Sequence, residues 1–390
     1  MDLRYTATEQ AFREEARAWL AAHVPRDPLP SPDTAEGFAA HRLWEQRLAE
    51  ARWSAVTWPA QYGGRGATLV EWLIFEEEYY RAGAPVRINA NGLHLLAPTL
   101  LEHGTPEQKA RFLPPMAKGE EVWAQAWSEP EAGSDLAALR CRAVRDGDHY
   151  VLSGQKTWST RAAFADWCFG LFRTGSLGER HRGLTFLLVS LRSPGVRVRP
   201  IRQLDGRAGF AEIFFDEVKV PVSQRVGEEG EGWKVAMATA GFERGLLLRS
   251  PARFQERARR LVELWRRRRD QLARDPHLED AVVQAWLDAE AYCLATYHTA
   301  CRLDRGGVIG PEASTNKIFW SELDLLLCDA ALRILGPAAE FPAGKEVLAK
   351  EADSGRWLEE FLFAQAGPIY AGTNEIQRNI IAERLLGLPR

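Results

Sequence analysis

The feature that most constrains this chain is a double switch in the period of its apolar residues. Over the first 119 or so residues they recur at helical spacing, as in Phe12, Ala16, Trp19 and Leu20 and again in Trp72, Phe75 and Tyr79. Turn-rich connectors such as PRDPLPSPD and WPAQYGGRG interrupt that pattern, and HGTPEQKARFLPPMAKG reads as a short helix opened by Thr105 and Pro106 and closed at Gly119. From about 120 to 230 the period shortens. HYVLSG, WCFGLFR, LTFLLVSL, VRVRPI and AEIFFDEVKV are β-branched and aromatic runs separated by Gly, Pro and Asp, the pattern of antiparallel strands. After Gly232 the helical period returns, with long segments predicted around 233–266, 278–304, 312–335 and 373–386. Four long helices predict a bundle. The expected architecture is an α+β multidomain chain, with an N-terminal helical domain over 1–119, a central antiparallel β domain over 120–231 and a C-terminal four-helix bundle over 232–390.

Composition narrows the function classes. The 390 residues are 46% hydrophobic and 26% charged, which is globular and allows two or three domains. Lys+Arg 50 against Asp+Glu 53 gives a net charge of −3, so no overall positive field would gather nucleic acid. The run Arg266, Arg267, Arg268, Arg269 reads as a solvated helix face. Cys141, Cys168, Cys293, Cys301 and Cys328 are scattered and form no C-x-x-C pair, which argues against a disulfide framework or a zinc site. The first twenty residues carry charge throughout, and no apolar run reaches a bilayer-spanning length, so a soluble cytoplasmic protein with no bound metal is expected.

Common catalytic motifs are missing: there is no H-E-x-x-H, no G-x-S-x-G and no phosphate loop ending in G-K-[ST]. Gly64 and Gly66 begin a G-x-G pattern that fails at Leu69, so that loop reads as structural. Three stretches remain. Gln125, Ala126, Trp127, Ser128, Glu129, Pro130, Glu131, Ala132, Gly133, Ser134 and Asp135 combine small residues with hydroxyls, so they form either a polar turn or a ligand site. Gly154 to Thr160 place Trp158 between hydroxyl residues, where it either packs in a core or stacks on a planar ligand. Finally, Gly372, Thr373 and Asn374 make a strong helix start, whose free amides suit a pyrophosphate or a polarised carbonyl.

Together with AFREEARAWL, EIFFDEVKVP, GEEGEGW and the tail IYAGTNEIQRNIIAERLLGLPR, these motifs resemble the acyl-CoA dehydrogenase family of flavoenzymes over nearly the whole chain. The resemblance implies FAD bound between the β domain and the bundle. It places Gln125, Trp127 and Ser128 beside the isoalloxazine ring, and Trp158, Ser159 and Thr160 on a second flavin-contacting strand with the Thr160 hydroxyl near N5. Gly133 and Ser134 belong to the cofactor set, Ser134 also lies near the acyl-CoA, and Gly372, Thr373 and Glu375 hold FAD from the bundle. The family reaction removes the pro-R α-proton with a glutamate while a β-hydride leaves for flavin N5, giving a trans-2-enoyl-CoA.

In many members that glutamate directly precedes the final Gly-Thr, where this chain has Ala371. Isovaleryl-CoA and long-chain acyl-CoA dehydrogenases carry it on the first bundle helix before an Arg, and Glu243-Arg244 matches that pair. The resemblance therefore implies Glu243 as the base, the Ala371 amide as a donor to the thioester oxygen, and Arg244 as a structural residue or a contact to CoA. Two departures concern the FAD contact across subunits. RRRRDQLARDPHLEDAVVQAW lacks the family's R-x-x-F-G, and Arg333, Ile334, Leu335, Gly336, Pro337 replace its Q-x-x-G-G. A homo-oligomer (dimer or tetramer) and a heteromer with a related subunit both remain open. The implied electron acceptor is an electron-transfer flavoprotein. Alternatives are a non-catalytic or co-catalytic subunit of a heteromeric enzyme, and a relative with oxidase or flavin monooxygenase chemistry.

Overall fold

The computed structural model describes residues 4–244, 249–272, 275–341 and 354–389, without the side chains of 242–244 and 354. Five helices come first: α1 (Ala7–His23), α2 (Ala35–Glu50), α3 (Leu69–Arg81), α4 (Ala97–His103) and α5 (Pro106–Ala117). Strands follow as β1 (Trp123–Ala126), β2 (Arg142–Asp146), β3 (His149–Thr160), β4 (Trp167–Arg173), β5 (Leu184–Ser190), β6 (Val196–Ile201), β7 (Phe210–Pro221) and β8 (Arg225–Val226). The remaining described helices are α6 (Gly232–Arg244), α7 (Pro251–Arg268), α8 (Pro276–Asp304), α9 (Ala313–Leu335), α10 (Ser354–Ala364) and α11 (Asn374–Ile380). Thr6 with Glu9, Thr68 with Glu71 and Thr105 with Gln108 start α1, α3 and α5 as reciprocal capping boxes, each satisfying two backbone donors.

Two compact units result, each assembled from separated stretches of chain. One comprises the described residues up to Val24, Thr68–Ala84 and those from Arg244 onward; the other comprises Pro25–Ala67 and Pro85–Glu243. The second unit holds the sheet, ordered β6-β7-β3-β2-β4-β5-β8, with β1 added alongside β4. Most neighbours are antiparallel, but β1 runs parallel to β4, with Gln125 opposite Phe169. Alternation decides which side chains enter its core: Tyr150 and Leu152 from β3 and Ile213 and Phe215 from β7 are fully or almost fully buried.

Two features of β3 set the direction of its last side chains. Its pairing with β7 slips between Lys156 and Ser159, and at the slip Trp158 takes a left-handed backbone with φ 60°. Such irregularities in a strand redirect side chains. Lys156, just before the slip, is 0% exposed. Its Nζ donates to Glu129 Oε1 at 2.8 Å and to the Trp127 carbonyl at 3.2 Å. The other side of that carboxylate accepts the Arg140 amide at 2.6 Å, and Oε1 also accepts the Cys141 amide at 2.9 Å. One buried ion pair thus stitches the turn after β1 to the end of β3.

The first unit is built on an apolar bundle core that includes Phe254, Leu261, Leu327 and Trp357. A polar seam crosses it. Arg253 and Arg257 donate to Asp324, Arg260 and Arg356 to Glu360, and Arg257 Nε lies 3.2 Å from Glu360 as well. The predicted helix over 233–266 is divided. Ser250 has the non-helical backbone φ −54°, ψ 132°, and α7 starts with Pro251. Proline disfavours helix in the residue before it and fits the first helical position, so it starts a new helix here.

Two consequences can be measured. Replacing Glu129 by Gln leaves Lys156 buried without its carboxylate, and the expected loss is about 3 kcal/mol or more, read from urea unfolding. Burial disfavours ionisation of Glu360, but Arg257, Arg260 and Arg356 more than compensate and lower its carboxyl from 4.5 to about 2. A depressed folded value stabilises the protein above the unfolded value and loses that contribution as pH falls through the folded one. Stability is therefore expected to decline from about pH 4.5 toward about 2. Glu360→Gln is expected to be less stable at neutral pH and to show a shallower acid slope in unfolding curves collected across that range.

Candidate functional site

In the sheet-bearing unit, β1 brings Gln125 to its end, and the chain leaves through Trp127 and Ser128 into a turn closed by reciprocal backbone bonds between Glu129 and Ala132, both 3.1 Å. The Thr157 amide donates to the Ser128 carbonyl at 2.9 Å, which joins this turn directly to the slipped end of β3. Gln125, Trp127, Ser128, Trp158, Ser159 and Thr160 are thereby brought together within one unit. Gly133 and Ser134 follow as exposed residues, and a side chain added at Gly133 would meet nothing within 4 Å. Backbone there is open to approach.

The state of the side chains distinguishes packing from ligand contact. Trp158 is 60% exposed and meets Phe210 edge to face, with ring centroids 6.3 Å apart. It is not a core residue. Ser159 is 0% exposed, yet its hydroxyl has no hydrogen-bond partner among the described residues, and the buried Trp127 Nε1 has none among them either. Buried polar groups are ordinarily paired, so the Ser159 hydroxyl and the Trp127 indole each have bonding capacity left over on this stretch of the sheet.

The other unit carries the final motif. Tyr370 stacks on Trp320 with centroids 5.9 Å apart and accepts from Arg249 Nη2 at 3.0 Å. Ala371 and Gly372 then adopt consecutive left-handed conformations, φ 58° and 77°. For Ala371 this costs roughly 1 kcal/mol relative to an ordinary conformation. It is held by Gln377, whose Nε2 donates to the carbonyls of Ala371 and Gly372 at 3.1 and 3.2 Å. The Thr373 hydroxyl accepts the Ile376 amide at 3.2 Å and caps α11. Asn374 is buried and its Oδ1 accepts from Lys317 at 2.7 Å and from Ser321 at 3.1 Å. Glu375 is exposed, and hydrogen bonds from its own amide and from Thr373 lower its carboxyl below the usual range.

Gly372, Thr373 and Glu375 therefore gather at the start of α11, separately from the residues of the sheet. Glu243 and Arg244 end α6, and their side chains lie outside the described residues. One turn earlier, Thr239 shares a buried hydrogen bond of 2.8 Å with Thr99 on α4. Sequence reasoning missed the positioning roles of Lys156, Glu129, Lys317 and Asn374. For Lys156 a signal existed: counting in twos along β3 from the buried Tyr150 and Leu152 reaches it, and a buried lysine needs a carboxylate. Among the described residues no group of three or more His, Cys, Asp or Glu could hold a metal, and no helix is long and apolar enough to cross a membrane.

Comparison with known proteins agrees along the chain. Residues 6–120, 124–218 and 230–386 match, respectively, the N-terminal, middle and C-terminal domains of acyl-CoA dehydrogenase. The chain is 41% identical over 392 residues to acyl-CoA dehydrogenase IpdE1 of Mycobacterium tuberculosis, covering 98% of each. It is 32% identical over 404 residues to FadE26 of the same organism, covering 100% of this chain and 99% of the other. Among solved structures it is similar to the Tcur3481-Tcur3483 steroid ACAD, with TM-score 0.86, 28% identity and full coverage of both chains. The ChsE4-ChsE5 complex from Mycobacterium tuberculosis follows at TM-score 0.81 and 31% identity, again over the whole of both chains. This chain belongs to the acyl-CoA dehydrogenase family: it is an oxidoreductase of that family, and its membership implies a flavin cofactor.

Proposed function

We propose that the protein is an FAD-dependent enzyme that dehydrogenates an acyl-CoA thioester to a trans-2-enoyl-CoA, with Glu243 as the base for the α-proton. The observation that carries the cofactor part is the orphaned Ser159 hydroxyl beside the exposed Trp158. Gln125, Trp127, Ser128, Gly133, Ser134, Trp158, Ser159 and Thr160 suit the flavin ring and its polar edge, and Gly372, Thr373 and Glu375 suit the rest of FAD from the bundle side. When bound, FAD supplies the acceptor for the hydride that leaves the β-carbon. The three-part division at 1–119, 120–231 and 232–390 is part of the same reading.

The chemistry left to the chain is proton removal and stabilisation of the oxygen that gains charge. An α-hydrogen next to a thioester is weakly acidic, so the base must act while a donor meets the carbonyl oxygen. Glu243 is the carboxylate at a family base position, and Ala371 cannot serve because it has no titratable group. Ala371 contributes its backbone N–H, which any residue except proline supplies; Arg244 and Ser134 are assigned to the CoA side of the substrate. Electrons leave to an electron-transfer flavoprotein, and the enzyme works in the cytoplasm.

A specific observation favours a second reading of the assembly. The similar steroid ACAD and the ChsE4-ChsE5 complex carry two chain names each, and this chain lacks both family motifs for the FAD contact across subunits. We therefore favour a heteromer with a related subunit over a homotetramer, and a steroid-derived acyl group as substrate. Light scattering on the chain purified alone and with its partner separates these assemblies.

The base assignment is tested by Glu243→Gln. Acyl-CoA-dependent dye reduction is expected to fall by about a thousandfold, with the flavin absorbance retained; unchanged activity overturns the assignment. Ser159→Ala is expected to shift stability by under about 0.5 kcal/mol without cofactor, because its hydroxyl bonds no described residue, while flavin retention on a desalting column decreases.

A further inference from the structure

A π-helical turn, Gly92–Leu96, precedes α4, and His94 lies at its centre. Such turns are rare and concentrate at functional sites. This one is tied down at both ends. Asn89 accepts the Trp123 amide of β1 at 3.0 Å and donates to the carbonyls of Met116 and Glu121 at 3.2 and 3.1 Å. At the other end Thr99 meets Thr239 on α6. The glycine at the entrance is required by space: a Cβ on Gly92 would sit 2.5 Å from Asn89 Oδ1. The turn therefore spans β1, which carries Gln125, and α6, which carries Glu243.

His94 is half-buried on the less covered side of this helix, with Asn91, Pro98 and Leu101, whereas Gly92, Leu93, Leu95, Leu96 and Thr99 are buried. No described residue pairs with its imidazole through a hydrogen bond, an ion pair or a ring contact. Burial, reinforced by Arg87, holds its pKa down to about 3, so the ring is neutral at working pH. A neutral imidazole offers one N–H donor and one acceptor. A purely hydrocarbon acyl group covering it would strip its water and leave both unmatched, an unfavourable outcome that an oxygen function avoids.

We propose that His94 is a specificity-determining residue that hydrogen-bonds a carbonyl or hydroxyl oxygen on the acyl group, so that the preferred substrates are oxygenated acyl thioesters. The proposal rests on the reading of β1 and α6 as elements of the substrate site. The oxygen that His94 meets belongs to the acyl group and not to the thioester, whose oxygen the proposed function assigns to the Ala371 amide.

Two product thioesters test this without turnover: cyclohexyl-propenoyl-CoA, and the same thioester with a ketone on the far ring carbon. Binding to the flavin-loaded enzyme is measured by calorimetry. Wild type is expected to bind the ketone about tenfold more tightly. His94→Leu is expected to lose that preference while binding the unsubstituted ring at least as well, and His94→Asn to restore part of it. Equal binding of the two ligands by wild type, or a preference unchanged in His94→Leu, overturns the proposal. So does an equal loss for both ligands in His94→Leu, the mark of a merely structural residue. Failure of the dehydrogenation reading shows up differently, as no dye reduction by either saturated thioester while the binding preference persists.

Discussion

The turn after β1 and the end of β3, on which the proposed flavin site is built, are joined by one buried contact, the ion pair between Lys156 and Glu129. A lysine with no exposed surface is tolerated only when a carboxylate and further acceptors surround it, and here Glu129 Oε1 and the Trp127 carbonyl do so. Because the same carboxylate also receives the amides of Arg140 and Cys141, the chain from Trp127 to Cys141 is left with one path. The Thr157 amide on the Ser128 carbonyl then fixes the register between that path and the end of β3. Trp158, left-handed at the slip against β7, points outward while Ser159 turns inward with its hydroxyl met by no described residue. If FAD binds here as proposed, this surface is prepared in advance, which lowers the entropy lost on binding.

The helical unit uses the same device around its final motif. Lys317 and Ser321 converge on the buried amide oxygen of Asn374, and Gln377 grips the carbonyls of Ala371 and Gly372. Two successive left-handed residues are thereby held, although one of them is alanine. The backbone there is held without a glutamate side chain, which is compatible with the proposed role of the Ala371 amide. Proton removal has then to come from elsewhere, and Glu243 on α6 is the residue to which the proposal assigns it.

Much of this was legible in the sequence for physical reasons. Runs rich in β-branched and aromatic residues, bounded by Gly, Pro and Asp, located β3, β4, β5, β6 and β7; β4 and β5 are buried along nearly their whole length, and alternation shows in β7. The motif around Ser134 and the run from Lys156 to Thr160 were recognisable from their residues, and Thr373 announced the start of α11. Other features were hidden because they are non-local. The parallel pairing of β1 with β4 involves four residues whose partner no local pattern names. The break before Pro251 was masked by helical periodicity that continues on both sides of it. The π-helical turn at His94, where Asn89 lies close against Gly92, leaves no compositional trace.

As proposed, this chain removes the α-proton of an acyl-CoA while its bound flavin takes up the β-hydrogen. Single-turnover flavin reduction with acyl-CoA deuterated at the α- or at the β-carbon addresses both bonds at once. The account expects each label to slow the bleaching of the flavin absorbance, with a trans-2-enoyl-CoA as the product. Bleaching that ignores both labels, or a protein that binds the thioester with no flavin to bleach, would contradict it.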